Sequence, residues 1–125
     1  MTENEIGYKI RGACFNVYNA LGPGLLESAY ERALMVELLE SGLKAVAQVP
    51  VSMSYKGRNL GEVYIIDILV EDKVIIEIKS VEKLERVHYK QLHTYLSLTG
   101  QKLGYLVNFN TDDLINSIVR YANKL

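Results

Sequence analysis

Two short apolar runs in the middle of the chain predict a pair of neighbouring β-strands. Val63–Val70 and Val74–Ile78 are rich in Ile and Val and flank the polar tripeptide Glu71–Lys73. Runs of this length between turn residues are typical of strands. Because their apolar character is almost continuous, we expect both faces of these strands to be covered, as in the centre of an α/β sheet.

The rest of the chain alternates between helical and strand-like patterns. Apolar residues recur every three or four positions in four segments, which predicts helices over residues 5–21, 25–41, 81–98 and 112–122. Alternating or β-branched segments predict strands over residues 48–55, 60–70, 74–78 and 103–109. The order α-α-β-β-β-α-β-α predicts an α/β fold with a mixed sheet and helices on both of its faces.

Three ionisable residues interrupt the central apolar runs, namely Asp67, Glu77 and Lys79. A buried charge is costly unless it is paired, hydrogen-bonded or bound to a metal. Because side chains alternate along a strand, Glu77 and Lys79 share one face. A three-residue loop at Glu71–Lys73 would place Asp67 opposite Glu77 on that face. A two-residue loop would instead place Asp67 opposite a residue whose side chain points to the other face of the sheet.

This group of two carboxylates and one lysine has two interpretations. Adjacent carboxylates repel each other unless a cation lies between them, and Mg²⁺ often binds through one or two carboxylates plus water. Lys79 would then lie beside the metal and orient a water or stabilise charge on a phosphate oxygen. The alternative is an ordinary ion pair in which the Lys79 side chain reaches solvent. Short triplets such as Glu77-Ile78-Lys79 are common, so this triplet alone does not establish a metal site.

Length and charge narrow the class of protein. The chain has 125 residues, a formal net charge of −1 and one cysteine, which fits a single domain over residues 1–125. The near-neutral charge argues against a strongly basic nucleic-acid coat, although a local basic patch stays open. One cysteine, no signal-peptide pattern and no membrane-spanning run predict a cytoplasmic protein without a membrane partner.

Polar residues on two predicted helices form the other candidates. Glu27 and Tyr30 share a helix face, although an acid in a first turn is also favoured simply by the helix dipole. His88, Gln91 and Tyr95 form a polar stripe that either is solvated or lines a cleft. The sequence contains no zinc-site spacing, Walker loop, dinucleotide fingerprint or Ser-His-Asp arrangement.

Several of these motifs together resemble one known group of proteins. Asp67 followed by Glu77-Ile78-Lys79 resembles the D…(D/E)xK core of the PD-(D/E)xK nuclease superfamily. The stretch from Gln91 to Tyr95 is similar to the QxxxY motif of its RecB-like branch, and the stretch from Gly24 to Tyr30 is similar to the GxxExxY family. The resemblance covers almost the whole chain and implies a restriction-endonuclease-like α-β-β-β-α-β core. One departure is Ile66, where the superfamily often has proline.

The resemblance also implies roles for individual residues. It implies that Asp67 and Glu77 bind Mg²⁺ or Mn²⁺ together with the backbone carbonyl of Ile78, and that Lys79 positions or helps deprotonate the attacking water. A second set of residues would complete the site: Glu27 as a helix acid of the metal site, and Gln91 and Tyr95 as supporting or substrate-contacting residues.

The function predicted from these observations is metal-dependent hydrolysis of nucleic-acid phosphodiester bonds, with DNA favoured over RNA. The chain has no evident DNA-recognition module, so specificity would come from a protein partner, from DNA structure or from a homodimer. The alternative is a non-catalytic module that binds nucleic acid or protein and retains the nuclease fold. The intact Asp67, Glu77 and Lys79 argue against it, because carboxylates placed together in a core contribute little stability.

Overall fold

The computed structural model describes all 125 residues as three helices and one five-stranded sheet. The helices are α1 (Glu3–Leu21), α2 (Glu27–Glu40) and α3 (Arg86–Thr99). The strands are β1 (Ala45–Tyr55), β2 (Arg58–Val70), β3 (Val74–Lys79), β4 (Leu103–Asn108) and β5 (Ile118–Ala122). None of the three helices is long and apolar enough to cross a membrane.

The sheet is mixed and follows chain order from β1 to β5. Only β3 and β4 are parallel, because α3 provides the crossover between them. Between β2 and β3, Val70 faces Val74 across a three-residue loop, Glu71–Lys73. Of the two loop lengths that the sequence leaves open, the structure has the three-residue one, and continuing this register places Asp67 opposite Glu77.

The predicted helix over residues 112–122 is wrong. This segment forms a 3₁₀ turn, Ile115–Ser117, followed by strand β5, which pairs antiparallel with β4. Leu114 and Ile118 are both buried at a spacing of four residues, so the burial pattern imitates a helix. Pairing with the otherwise free edge of β4 decides the outcome, since strand preference depends strongly on such tertiary context.

Helices cover the two faces of the sheet and create two separate cores. The large core lies under α1 and α2 and contains residues such as Ile10, Tyr30, Leu34, Ile76 and Phe109. The small core lies under α3 and contains Val51, Ile66, Ile75, Leu92, Tyr95, Leu96 and Leu106. The expectation that the central strands are covered on both faces is confirmed.

The hairpin formed by β1 and β2 passes from one core to the other. Ala45 and Ile68 pack in the large core, whereas Val49 and Ile66 pack in the small core. In a regular strand, residues two positions apart remain on one face, so the hairpin changes face between these pairs. The change occurs at Gln48, whose φ angle of 56° is left-handed. The outer half of the hairpin is thereby brought over α3.

Close packing of α3 against β4 depends on Gly104. A Cβ atom at this position would lie 2.7 Å from Cδ1 of the buried Leu92. We expect Gly104→Ala to lower the free energy of unfolding by about 1–3 kcal/mol, because a well-packed core has no room for an added methyl group. Urea denaturation followed by circular dichroism measures this loss.

A second glycine provides the matched control for this substitution. Gly12 lies exposed in the interior of α1, and a Cβ atom there would meet nothing within 4 Å. Gly12→Ala should raise the free energy of unfolding by about 0.5–1 kcal/mol, since alanine restricts the unfolded chain. Equal stability changes of the two variants would contradict close contact between α3 and β4 at Gly104.

Candidate active site

The candidate site lies where β2 and β3 separate. Backbone pairing between these strands extends only as far as Ile68 and Ile76. Beyond that pair, the carboxylate of each strand accepts a hydrogen bond from the backbone of the other. The Asp67 N–H donates to Glu77 Oε2 at 2.8 Å, and the Ile78 N–H donates to Asp67 Oδ2 at 2.8 Å. Both carboxylates are therefore fixed by the main chain.

The environment of these carboxylates disfavours their ionised forms. Burial makes the largest contribution and the charge of Asp67 the second, and together they raise the pKa of Glu77 to about 8. The hydrogen bond from the Asp67 N–H and the charge of Lys79 act in the opposite direction. Burial also raises the pKa of Asp67, although the hydrogen bond from Ile78 opposes the shift. Glu77 is only 2% exposed. Without a cation, the pair therefore tends to retain a proton, because two carboxylate charges so close together are costly in a region of low dielectric constant.

Lys79 follows Glu77 by two residues on β3 and is half-buried. Its charge lowers the pKa of both Asp67 and Glu77. It does not form an ion pair with either carboxylate within 4 Å, since Lys44–Asp72 at the surface is the one salt bridge of the protein. The ordinary ion pair considered above is therefore absent, and the ammonium group of Lys79 remains available for another partner.

Helix α2 brings two further acids towards the carboxylate pair. Glu27 is exposed, and its Oε2 accepts a hydrogen bond from the Ser80 N–H at 3.3 Å. Glu31 lies one helical turn later, and its charge raises the pKa of both Asp67 and Glu77. Sequence reasoning missed Glu31, although its spacing of four residues from Glu27 was a usable signal.

Tyr30 has a structural role and does not share the environment of Glu27. Its ring is fully buried and stacks on Phe109 with a centroid distance of 4.5 Å. Its hydroxyl donates to the Gly22 carbonyl at 2.5 Å and accepts a hydrogen bond from the Leu25 N–H at 3.2 Å. Tyr30 therefore fixes the turn that precedes α2, and with it the position of Glu27.

Helix α3 contributes Gln91 and Tyr95 to the other side of the site. Burial raises the pKa of Tyr95 to about 12, with further contributions from the charges of Glu77 and Asp67, while a hydrogen bond with Gln91 lowers it. The ring of Tyr95 meets Tyr64 of β2 edge-on, with a centroid distance of 5.5 Å. The sequence pattern does not single out Tyr64, because the approach of this residue to α3 depends on the change of face of the β1–β2 hairpin.

Comparison with known families agrees with this geometry. A family model described as the PD-(D/E)XK nuclease superfamily matches residues 4–121. The chain belongs to this superfamily. No curated protein and no solved structure is significantly similar to it. The mixed five-stranded sheet and its flanking helices are consistent with the restriction-endonuclease-like fold of this nuclease superfamily.

Nucleases of this superfamily generally use divalent metal ions, and the donor set is compatible with one. No protein donor forms a hydrogen bond with Asp67 Oδ1 or Glu77 Oε1, so each carboxylate keeps one oxygen free. No group of three or more His, Cys, Asp or Glu side chains forms a metal site. Two carboxylate oxygens supplemented by backbone oxygen and water are a donor set that suits Mg²⁺ or Mn²⁺.

The segment after β3 is held by residues that sequence reasoning missed. Asn108 is 4% exposed, and its side-chain amide exchanges two hydrogen bonds with the backbone of Val81, at 3.1 and 2.9 Å. Ser80 donates its hydroxyl hydrogen to the Leu25 carbonyl at 2.5 Å. These bonds explain why α3 begins at Arg86 rather than at residue 81, and they fix the chain that follows Lys79.

Proposed function

We propose that this protein is a metal-dependent nuclease that hydrolyses phosphodiester bonds of nucleic acid, with DNA as the favoured substrate. The observation that carries the proposal is the exchange of hydrogen bonds between β2 and β3 through Asp67 and Glu77. This exchange leaves two carboxylate oxygens free beside an unpaired Lys79. Carboxylates buried without a neutralising partner are costly, and a divalent cation would remove that cost.

Each residue of the site has a proposed task. Asp67 and Glu77, with the backbone carbonyl of Ile78, would hold Mg²⁺ or Mn²⁺. Such an ion lowers the pKa of a bound water and offsets negative charge on a phosphate. Lys79 would hold the attacking water in place and help to remove its proton, while its positive charge stabilises the phosphate oxygens as charge develops.

The remaining predicted residues would support the substrate and the metal ligands. Gln91 and Tyr95 present an amide and a phenol group beside Glu77, and such groups hydrogen-bond to phosphate or sugar oxygens. Glu27 would add a carboxylate from the start of α2. This combination supports placement in the GxxExxY family and the RecB-like branch of the superfamily. A homodimer or a protein partner would provide the recognition surface that the chain does not evidently contain.

Titration calorimetry with Mn²⁺ and with Mg²⁺ tests the proposal without requiring a known substrate. We expect saturable binding by the wild type, and at least tenfold weaker binding by Asp67→Asn. The substituted amide oxygen still accepts the hydrogen bond from the Ile78 N–H, so the fold should persist. Binding would then justify a cleavage screen with single- and double-stranded DNA and RNA.

Asp72→Asn is the matched control, because Asp72 lies in the β2–β3 loop and pairs only with the exposed Lys44 and nearby loop groups. This variant should bind Mn²⁺ as the wild type does. Equal binding by Asp67→Asn, or no binding by the wild type even with an added oligonucleotide, would reject the metal site. The non-catalytic binding module would then be the better explanation.

A further inference from the structure

Gln48 has an unusual backbone conformation for its position. Its φ angle is 56°, in the left-handed region, although it lies inside β1. The other non-glycine residues with positive φ lie in turns or near the C-terminus: Lys56, Glu71, Asp72 and Lys124. Left-handed geometry costs a residue with a Cβ atom about 1–2 kcal/mol. Glycine would adopt it without this cost.

The strained residue lies beside the carboxylate pair. Ala47 pairs with Ile68 and Val49 pairs with Ile66, so Gln48 stands opposite Asp67 on the neighbouring strand. At this position the hairpin changes from the large core to the small core. The left-handed turn directs the Gln48 side chain to α2, where its Nε2 donates to Glu31 Oε1 at 2.7 Å.

The hydrogen bond to Glu31 has an electrostatic consequence. Glu31 carries the same charge as the ionised forms of Asp67 and Glu77, so repulsion favours rotamers that turn its carboxylate towards solvent. A glutamate on a helix surface has several such rotamers available. The amide of Gln48 opposes this movement by binding one carboxylate oxygen, which restricts Glu31 to the side of the site.

We propose that Gln48 is a positioning residue of the nuclease site, which holds the Glu31 carboxylate towards the Asp67–Glu77 pair. The inference rests on the proposed function, because a third carboxylate is useful only if a cation binds there. Held in this way, Glu31 increases the negative potential at the cation site and offers an acceptor to metal-bound water. Strained residues are retained at functional sites when the strain positions a side chain, and this accounts for Gln48 where glycine would be more stable.

Gln48→Gly separates a positioning role from a structural one. Glycine keeps the left-handed backbone but removes the amide that holds Glu31. We expect the affinity for Mn²⁺, measured by calorimetry, to fall about tenfold, while the melting temperature without metal equals or exceeds that of the wild type. A residue important only for folding would lower the melting temperature of the metal-free protein.

Two further variants test whether the loss of Mn²⁺ affinity is specific to Gln48 and whether it arises through Glu31. Lys56→Gly makes the same backbone change at a left-handed residue in the β1–β2 turn, and it should leave Mn²⁺ affinity unchanged. Glu31→Gln should reproduce the loss seen in Gln48→Gly, because it removes the charge that Gln48 positions. The double variant, which combines Gln48→Gly with Glu31→Gln, should bind Mn²⁺ no more weakly than Glu31→Gln alone, since the two substitutions remove the same interaction.

The possible outcomes distinguish this inference from the proposed function. If the wild type and Gln48→Gly bind Mn²⁺ equally, Gln48 does not position the site, and the metal site itself stands. Additive losses in the double variant would likewise show that Gln48 does not act through Glu31. If the wild type does not bind Mn²⁺, the proposed metal site is rejected, and the role of Gln48 is rejected with it.

Discussion

Replacing Lys79 by alanine is expected to reduce nucleic-acid cleavage by about 10²- to 10³-fold, the usual effect of removing one group that stabilises a transition state. Metal binding should remain, because both carboxylates are anchored by backbone N–H groups and not by the lysine. The loss arises because the attacking water loses its orienting group and the phosphate loses a nearby positive charge. Single-turnover cleavage at saturating Mn²⁺ measures the chemical step.

Lys44→Ala provides the comparison for Lys79→Ala. Lys44 forms the surface ion pair with Asp72 near the β2–β3 loop, so its removal deletes one positive charge away from the site. Exposed pairs of this kind contribute about 0–1 kcal/mol, and cleavage should continue at the wild-type rate. Full cleavage by Lys79→Ala would reject the role given to Lys79, even if Asp67 and Glu77 bind metal.

The central pair could be predicted from the sequence because it depends on local rules. The side-chain period of a strand is two residues, and the length of the Glu71–Lys73 loop sets the register. Once the loop is known to have three residues, the strand period alone brings Asp67 opposite Glu77. The polar residues inside an apolar run mark the pair as chemically unusual without any tertiary information.

Other parts of the site depend on contacts between distant segments. Glu31 approaches the carboxylates because α2 packs on the sheet face of the large core, and Gln48 reaches Glu31 because the hairpin changes face. Asn108 holds Val81 across the parallel β3–β4 pair. Sequence periodicity carries no information on such pairings, because it records only which residues of one element are buried.

Two helical spacings in the sequence are compatible with more than one structure. Glu27 and Tyr30 share a helical spacing, yet one is exposed near Ser80 and the other is buried against Phe109. Leu114 and Ile118 have a helical spacing as well, yet they belong to a turn and an edge strand. In both cases a short spacing fits two structures, and burial against a distant element decides between them.

Without divalent metal, the protein is expected to lose stability as the pH rises. The pKa of Glu77 is raised from its ordinary 4.5 to about 8 by burial and by the charge of Asp67. A raised pKa means that the folded state binds the proton more tightly than the unfolded state. The stabilisation is therefore complete below pH 4.5 and is lost as the pH rises through 8. With about 1.4 kcal/mol for each pKa unit, the loss is on the order of 5 kcal/mol.

Glu77→Gln isolates this effect, because glutamine does not ionise and its amide oxygen can still accept the hydrogen bond from Asp67. Urea unfolding in the presence of a chelator, measured at pH 5, 6.5 and 8, should show a much smaller decline for the variant than for the wild type. A residual slope is expected from Asp67, whose pKa is also raised by burial. Parallel profiles of the two proteins would contradict a buried, unneutralised Glu77.

Adding Mn²⁺ at pH 8 connects this pH dependence to function. A ligand that binds only the folded state raises the free energy of unfolding. The increase grows with the logarithm of the ratio of ligand concentration to dissociation constant. Mn²⁺ should therefore recover most of the stability that the wild type loses between pH 5 and 8, and it should have little effect on Glu77→Gln. If Mn²⁺ stabilised both proteins equally, it would be binding elsewhere. The instability of the carboxylate pair would then have no connection with a metal site.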